Sequence, residues 1–353
     1  MRALEPTRPS DFFLVAASSN AQAVPIELPN VVVVIPAYRA AATVAGVIAA
    51  VPSFVRHIVV VNDGSPDGTS EVVRGVGDPR VVLVDHAENE GVGGAMLTGY
   101  QRAAGLGAEI IAKMDADGQM DPEHLLALIT PIVTGEADYT KGNRFLHERE
   151  LQSMPGRRRF GNAGLSFLTK LASGYWAIFD PTNGYTALHA SVVPMLDDAR
   201  IARRFFFESS MLLNLSLLRA VVRDVYIPAR YVNAKSHLSE SRAAMQFPLQ
   251  LLRGFLRRIR IQYFVRDFTM TSLYIVFGLL LTIFGGVWGM WHFLISAQTG
   301  IVATTGTVMI AVLPIIVGVQ LLLQALSLDV QSAPTLPIHA TTRLVKGEHP
   351  LDR

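Results

Sequence analysis

Two aspartates and a carboxamide that follow an apolar run are the residues of this sequence best suited to chemistry. A buried strand is predicted over 110–114, and it leads to Asp115, Asp117 and Gln119. If the strand ends at Asp115, these side chains lie at the carboxyl edge of a sheet, where open α/β folds bind ligands. Two carboxylates and an amide oxygen suit Mg2+ or Mn2+, with room for phosphate oxygens. The alternative is a polar turn that caps the next helix, and an Asp-x-Asp pattern alone does not exclude it.

Strands and helices alternate around this turn. Strands are predicted over 31–35, 58–61, 81–84, 110–114, 138–141 and 221–227, and helices over 40–50, 95–104, 160–173 and 205–220, with another after Pro122. Such alternation indicates an α/β fold with a parallel, doubly wound sheet. Asp63 and Asp67 lie in a turn-rich segment just past the second strand, where they can accept hydrogen bonds from a base or a ribose. Gly91 belongs to a glycine-rich segment that permits close backbone approach or a positive φ.

The last third of the chain contains a long stretch without charge. Between Asp267 and Asp329 there is no Asp, Glu, Lys or Arg, and the mean hydropathy of the whole chain is +0.33. A membrane span needs about 20 apolar residues. We therefore predict two transmembrane helices, over 269–291 and 302–327, with a turn over 292–300. A buried hairpin in a soluble protein is the alternative, and the length without charge argues against it.

A basic amphipathic stretch, 245–266, precedes these spans. Its apolar and arginine residues follow helical spacing on different sides, which is typical of a helix lying on a membrane surface. A helix packed on the preceding domain is the alternative. By the positive-inside rule the arginines place that domain in the cytoplasm, as part of a two-span membrane protein.

Composition narrows the possible chemistry. The chain has no cysteine, which excludes disulfides, thiolate catalysis and cysteine-ligated zinc. The net charge is only +2, and no nucleic-acid partner is expected. A homo-oligomer is left open. The predicted parts are a flexible extension over 1–29, a catalytic domain over 30–240, an amphipathic interfacial region over 241–267, a membrane hairpin over 268–328 and a cytoplasmic tail over 329–353.

Six motifs occur in order between about 31 and 235. They are Val34–Tyr38, Val61–Thr69, Asn89–Ala95, Asp115–Gln119, Gly142–Phe145 and Asp180–Tyr185. Together they resemble a family 2 glycosyltransferase with the GT-A fold, a Rossmann-like, mostly parallel sheet flanked by helices. Within that family the chain resembles polyprenyl-phosphate glycosyltransferases such as dolichol-phosphate mannose synthase, and the two terminal spans agree with this.

The resemblance implies a nucleotide-sugar site with a metal. Asp115, Asp117 and Gln119 would hold Mg2+ or Mn2+ against the pyrophosphate, with Asp117 catalytic and Asp115 contacting either the metal or the ribose. The residues expected at the nucleotide sugar are Pro36, Tyr38, Asp63, Asp67, Gly91 and Asp115. Of these, Asp63 is assigned to the base, Asp67 could equally be a turn residue, and Pro36 could simply end its strand.

The resemblance also implies a site for the acceptor phosphate. It assigns a phosphate-binding, catalytic role to Arg144 and further phosphate contacts to Arg158 or Arg159, whose alternative is solvated surface charge. Lys235 and Ser236 complete the predicted phosphate site. Arginine suits this role because its planar fork matches phosphate oxygens.

These residues predict a reaction without a catalytic base. A lipid phosphate is already ionised at neutral pH and can attack directly, whereas a sugar hydroxyl needs a general base. The expected activity is inverting transfer of a hexose from a UDP- or GDP-linked sugar to undecaprenyl or dolichyl phosphate at the cytoplasmic membrane face. Two alternatives remain, namely a glycosyltransferase with a lipid-linked saccharide or polysaccharide acceptor, and a non-catalytic membrane scaffold that has kept the fold.

Overall fold

One seven-stranded sheet forms the centre of the computed structural model, which describes residues 28–144, 156–228 and 240–340. The strands are β1 Val31–Ala37, β2 His57–Asn62, β3 Val81–Asp85, β4 Ile110–Lys113, β5 Tyr139–Asn143, β6 Thr186–His189 and β7 Val222–Tyr226. Their order is β3-β2-β1-β4-β6-β5-β7. All pairings are parallel except those of β6, which runs antiparallel to β4 and β5. The predicted mostly parallel α/β sheet is confirmed, but no pattern in the sequence predicted β6.

Helices cover both faces of the sheet. The helices of this domain are α1 Val44–Ala50, α2 Thr69–Gly75, α3 Val92–Gly105, α4 Leu125–Val133, α5 Gly156–Ser173 and α6 Phe207–Leu218. Val33 of β1 packs in a cluster with α1 and α4 on one face. Val34 packs with α3 and α6 on the other. Because both faces are buried, the central strands read as continuous apolar runs rather than alternating ones.

Two long apolar helices follow the domain, α8 Met270–Thr299 and α9 Thr305–Gln331. Both are long and apolar enough to cross a membrane, and we call them the membrane hairpin. They pack closely because a Cβ on Gly285 would lie 2.5 Å from the backbone oxygen of Ala311. The predicted turn over 292–300 is wrong. The helix continues to Thr299 and ends at Gly300, whose φ of 70° closes it, because no residue before Gly300 interrupts the hydrogen-bond ladder.

The amphipathic helix α7 spans Glu240–Arg260 and continues as a π-helical turn over Ile261–Arg266. One face packs on the domain, with Leu251 buried against Ala172 and Phe206. Leu249, Leu252 and Leu256 are exposed at helical spacing. The helix therefore has an apolar face towards the domain and a second one facing outward.

Residues 332–340, here called the return strap, bring the chain from the hairpin back to the domain. The buried carboxylate of Asp138 accepts hydrogen bonds from the backbone N–H groups of Ile338 and His339 at 2.9 and 3.1 Å. It also accepts one from the backbone N–H of Val221 at 2.9 Å and lies 2.8 Å from Nδ1 of His339. The His339 ring stacks on His189 with 4.2 Å between centroids. Both ends of the hairpin are therefore joined to the same domain.

Candidate active site

The segment 115–121 forms a fixed turn directly after β4. Oδ1 of Asp117 accepts a hydrogen bond from the backbone N–H of Gln119 at 3.0 Å, and Gly118 has a φ of 75°. The hydroxyl of Thr43, from the loop after β1, donates to the backbone oxygen of Ala116 at 2.6 Å. The turn therefore lies at the carboxyl edge of the sheet, as predicted for Asp115, Asp117 and Gln119, and a neighbouring loop holds it there.

The electrostatics of this turn suit a cation. Asp117 is exposed, yet its pKa is raised, mainly by partial desolvation and further by the nearby Asp115 carboxylate. A divalent ion would offset this repulsion, and hard oxygen donors fit Mg2+ or Mn2+. Within the described part of the chain, no three His, Cys, Asp or Glu side chains form a metal cluster. The remaining ligands of a metal held by two carboxylates and an amide would have to come from substrate or water.

A buried lysine fixes the Asp115 carboxylate. Lys113 is only 2% exposed, and its Nζ lies 2.9 Å from Asp115 and 3.2 Å from Glu208 on α6. Although burial opposes the charge, the two carboxylates raise the pKa of Lys113 above its ordinary value. Lys113 therefore stays protonated and holds Asp115 in place from beneath. The Glu208 carboxylate is held in this ion pair, which makes it a poor general base.

Lys113 belongs to a polar row that crosses four strands. Lys113 and Thr186 are Cα partners, Thr186 pairs with Lys141, and Lys141 pairs with Asp224. Nζ of Lys141 donates to the backbone oxygen of Asn183, and burial lowers the pKa of Lys141 to about 8. Burial raises the pKa of Asp224 to about 6. The row connects the turn after β4 with the far edge of the sheet.

The loop 180–185 joins the two halves of the candidate site. A Cβ on Gly184 would lie 2.5 Å from Nζ of Lys113 and 2.9 Å from Oδ2 of Asp115, so a side chain at this position would displace the ion pair. Nδ2 of Asn183 donates to the backbone oxygen of Gly142 at 2.7 Å. One loop thus contacts the end of β4 and the end of β5.

The same loop holds the predicted phosphate-binding arginine. Arg144 follows β5, and its Nε and Nη2 donate to the two carboxylate oxygens of Asp180 at 2.7 and 3.1 Å. Asp180 is 1% exposed, whereas the Arg144 side chain is 39% exposed. Such a bidentate contact fixes the plane of the guanidinium. Arg144 is therefore oriented by a buried anion while part of its side chain still reaches the surface.

The other predicted phosphate contacts cannot be placed in the same way. Arg158 and Arg159 lie in the first turn of α5, but their side chains fall outside the described structure. Lys235 and Ser236 lie outside the described residues altogether. Their roles stay predictions.

On the nucleotide side of the edge, Asp63 organises a loop. Its carboxylate is 3% exposed and accepts hydrogen bonds from the backbone N–H groups of Glu90 and Gly91 at 2.9 and 2.8 Å. It also lies 2.9 Å from Nδ1 of His86. Gly91 has a φ of 89°, and its Cβ would lie 2.4 Å from the backbone oxygen of Arg203. Both reasons predicted for a glycine, positive φ and close approach, are confirmed, whereas ligand contacts of Asp63 and Gly91 stay predictions.

Asp67 is held by its own turn. Its Oδ1 accepts a hydrogen bond from the hydroxyl of Thr69 at 2.5 Å, and its Oδ2 accepts one from the backbone N–H of Ala41 at 3.3 Å. The Thr69 hydroxyl is the main reason that the pKa of Asp67 is lowered. These contacts fit the turn-residue alternative. Pro36 lies inside β1 rather than ending it, and Tyr38 just beyond is 47% exposed.

Sequence reasoning did not predict that Lys113 pairs with Asp115 and Glu208. Nor did it predict that Asp180, which begins one of the six motifs, orients Arg144. A lysine inside an apolar strand was the available signal, because a buried charge requires a partner. One partner, Asp115, is close in sequence, but the other, Glu208, lies 95 residues away along the chain, so no local pattern could identify it.

Residues 32–195 match the protein family described as Glycosyl transferase family 2. The chain is 33% identical over 163 residues to UDP-N-acetylglucosamine--dolichyl-phosphate N-acetylglucosaminyltransferase of Methanococcus voltae, covering 42% of this chain and 64% of the relative. It is 33% identical to polyprenol monophosphomannose synthase of Mycolicibacterium smegmatis, covering 40% and 54%. Its match to undecaprenyl-phosphate mannosyltransferase of Micrococcus luteus is 29% identical and covers 52% and 74%.

The first relatives are thus matched over roughly half to two thirds of their length. Among solved structures, glucosyl-3-phosphoglycerate synthase from Mycobacterium tuberculosis in complex with phosphoglyceric acid has a TM-score of 0.49 and 20% identity, covering 64% of this chain and 80% of that one.

Proposed function

We propose that the protein transfers a hexose from a UDP- or GDP-linked sugar to a polyprenyl phosphate, because residues 32–195 match the family described as Glycosyl transferase family 2. One observation carries the proposal. The loop 180–185 contacts Asp115 through Gly184 and Arg144 through Asp180, so the candidate metal site and the candidate phosphate site share one edge of the sheet. Three relatives whose names include dolichyl phosphate, polyprenol or undecaprenyl phosphate support this acceptor class.

The donor would bind along the edge formed by the loops after β1, β2 and β4. Asp117 and Gln119, with Asp115, would hold a divalent cation, which supplies neutralisation of the charge that develops on the departing diphosphate. Lys113 keeps the Asp115 carboxylate in position. Asp63 shapes the loop that carries Gly91, beside which the nucleotide base would lie.

The acceptor phosphate would lie against Arg144. One phosphate oxygen attacks the anomeric carbon and forms the new C–O bond, while the bond to the diphosphate breaks on the opposite face. The anomeric centre is inverted, and the products are a lipid-phosphate sugar and a nucleoside diphosphate. No proton has to be removed, because the phosphate is ionised at neutral pH. Arg144, already oriented by Asp180, disperses the phosphate charge.

The pairing of Glu208 weighs against a hydroxyl acceptor. A saccharide hydroxyl would need a base, and the Glu208 carboxylate instead pairs with the buried Lys113. The proposed setting is a membrane with the catalytic domain on the cytoplasmic side. The exposed apolar face of α7 and the hairpin would contact lipid.

Purified full-length protein tests the proposal. It is incubated with Mn2+, undecaprenyl or dolichyl phosphate in detergent, and in turn UDP-glucose, UDP-N-acetylglucosamine or GDP-mannose, and the lipid product is followed by mass spectrometry. We expect one donor to give a β-linked lipid-phosphate sugar, and Asp117→Ala to lower turnover about 10²–10⁴-fold, since a catalytic metal contributes several kcal/mol. Glu71→Ala, which removes an exposed carboxylate on α2, is the matched control. Equal turnover of Asp117→Ala and the parent would refute the mechanism.

A further inference from the structure

A buried ion pair joins the end of the second hairpin helix to the catalytic domain. Nη1 and Nη2 of Arg258, on α7, donate to the two carboxylate oxygens of Asp329, on α9, at 2.7 and 2.8 Å. The side chains are only 2% and 4% exposed. The Tyr263 hydroxyl adds a hydrogen bond to Asp329 at 2.6 Å. The Asp329 carboxylate is therefore both neutralised and hydrogen-bonded, as a buried charge requires.

The same arginine also holds the end of α5. Its Nε donates to the backbone oxygen of Ala172 at 2.9 Å, and Nη2 donates to that of Leu171 at 3.1 Å. These are last-turn carbonyls that lack partners within a helix. Gly174, with a φ of 78°, ends the helix, and its Cβ would lie 2.8 Å from Nη1 of Arg258. Arg258 thus fits a cradle made by α5, α7 and α9 together.

Net stability does not explain why this pair is present. Replacing a buried ion pair by apolar residues of similar volume is often neutral or stabilising, because desolvation offsets the attraction. What the pair adds is a fixed orientation of the three helices, since the planar guanidinium can bind a carboxylate and two carbonyls in only one arrangement.

The orientation of α5 matters because its first turn contains two residues expected to contact the acceptor phosphate. The helix spans Gly156–Ser173, about 27 Å at 1.5 Å per residue. Its last turn is fixed to the hairpin, and its first turn contains Arg158 and Arg159, the residues expected near the acceptor phosphate. A rigid helix therefore connects the membrane hairpin to the acceptor side of the site.

From this arrangement we infer that Arg258 and Asp329 form a positioning joint. The joint sets the place of the catalytic domain relative to the hairpin, so that an acceptor phosphate held in the membrane meets the site at the correct depth. The inference rests on the proposed function, and it assigns Arg258, Asp329 and Tyr263 a role in the use of membrane-bound acceptor rather than in binding the nucleotide sugar. The return strap, held by Asp138, is a second attachment of the same hairpin.

The decisive variant is the double substitution Arg258→Met with Asp329→Leu. It removes both charges together, so no buried charge is left alone and the protein is expected to fold with nearly parental thermal stability. The control, Arg266→Met, also removes an arginine charge beside the hairpin, but that side chain is exposed and donates to a single carbonyl, of Leu217. Arg258→Lys keeps the charge without the fork and should recover part of the lost function.

Two acceptors separate positioning from general damage. Full-length protein in vesicles is assayed with undecaprenyl phosphate in the bilayer, and the same variants are assayed in detergent with a short, water-soluble isoprenyl phosphate. We expect the double variant to raise the KM for the bilayer acceptor at least about tenfold, while the KM for the nucleotide sugar and kcat/KM with the soluble acceptor stay within about twofold. Unchanged use of the bilayer acceptor, or an equal loss with both acceptors, would overturn the inference.

A distance measurement tests the joint without activity. Because the chain has no cysteine, two introduced cysteines are labelled selectively. They are Ala127→Cys on α4 and Val302→Cys in the exposed hairpin turn. The parent and Arg266→Met should give one narrow distance distribution, and the double variant a broader or shifted one. An identical distribution in the double variant would refute the joint. If the parent transfers sugar to neither acceptor, the proposed function fails, and the label distances still decide whether the joint exists.

Discussion

Replacing Lys113 by methionine should destabilise the protein far more than the same change at Lys141. Both lysines are buried, and they lie on either side of Thr186 in the polar row. Lys113 neutralises two carboxylates, whereas Lys141 donates to a backbone oxygen. Lys113→Met therefore leaves Glu208, which is 16% exposed, without its counter-charge.

The magnitude follows from the exposure of the two partners. Removing one member of a buried pair costs about 3–5 kcal/mol. The contribution of Asp115 is small, since its side chain is 35% exposed and water screens it. We therefore expect Lys113→Met to lower the free energy of unfolding by about 3 kcal/mol. Lys141→Met should change it by about 1 kcal/mol or less, because that lysine already carries an unfavourable charge.

Chemical denaturation in detergent micelles, together with turnover, provides the assay. The double variant Lys113→Met with Glu208→Leu should regain most of the lost stability, because the carboxylate that still lacks its counter-charge, Asp115, is 35% exposed and screened by water. Its turnover should stay about 10–100-fold low, the usual cost of losing a residue that orients a metal ligand. Equal stability of the two single lysine variants, or full turnover in the double variant, would refute the reasoning.

Three further predictions concern the site and its support. Gly184→Ala should lower the free energy of unfolding by about 1–3 kcal/mol and also lower turnover, because the new Cβ would overlap the Lys113–Asp115 ion pair. The control is Gly46→Ala in α1, whose Cβ meets nothing within 4 Å. In the same thermal denaturation it should raise the free energy of unfolding by about 0.5–1 kcal/mol. Burial lowers the pKa of Lys141 from 10.5 to about 8, so between these pH values the unfolded chain binds more protons than the folded one. The free energy of unfolding should therefore rise by up to about 3 kcal/mol between pH 8 and 10.5, relative to that of Lys141→Met. Parallel pH profiles of the two proteins would contradict this. Arg144→Lys should raise the KM for polyprenyl phosphate about tenfold and leave the KM for the nucleotide sugar unchanged, because lysine cannot form the bidentate contact. The control is Arg223→Lys, at an exposed ion pair of 4.0 Å. If Arg144→Lys has the parental KM for polyprenyl phosphate, a phosphate role for Arg144 is wrong.

The central fold was predictable because its signals are local. The apolar run at 31–35 and the turn signals after 58–61 predicted β1 and β2 to within two residues. β6 was not predictable in this way. Its four residues, Thr186–His189, become a strand only because β4 and β5 lie on either side. The hairpin turn was placed too early because an apolar composition locates a span better than it locates its ends.

In the candidate site, too, the locally encoded features were predictable and those that depend on distant residues were not. The turn 115–119 could be recognised because its carboxylates are adjacent in sequence. The supports of that turn come from distant elements, with Glu208 on α6 and Gly184 on the loop before β6. Arg144 was predicted from its motif, but its partner Asp180 lies 36 residues further on. The residues expected to bind ligand could be found from short sequence motifs. The pairings that orient their side chains could not, because the partners are far apart in the sequence.

The return strap sets the order in which the protein can be completed in the cell. Asp138 enters the sheet early in synthesis, yet three of its contacts come from Ile338 and His339, about 200 residues later. Both hairpin helices lie between these residues in the chain, so the ribosome must synthesise them before these contacts can form. The surroundings of the Asp138 carboxylate are therefore completed last, by a segment that reaches the domain only after both hairpin helices have been made.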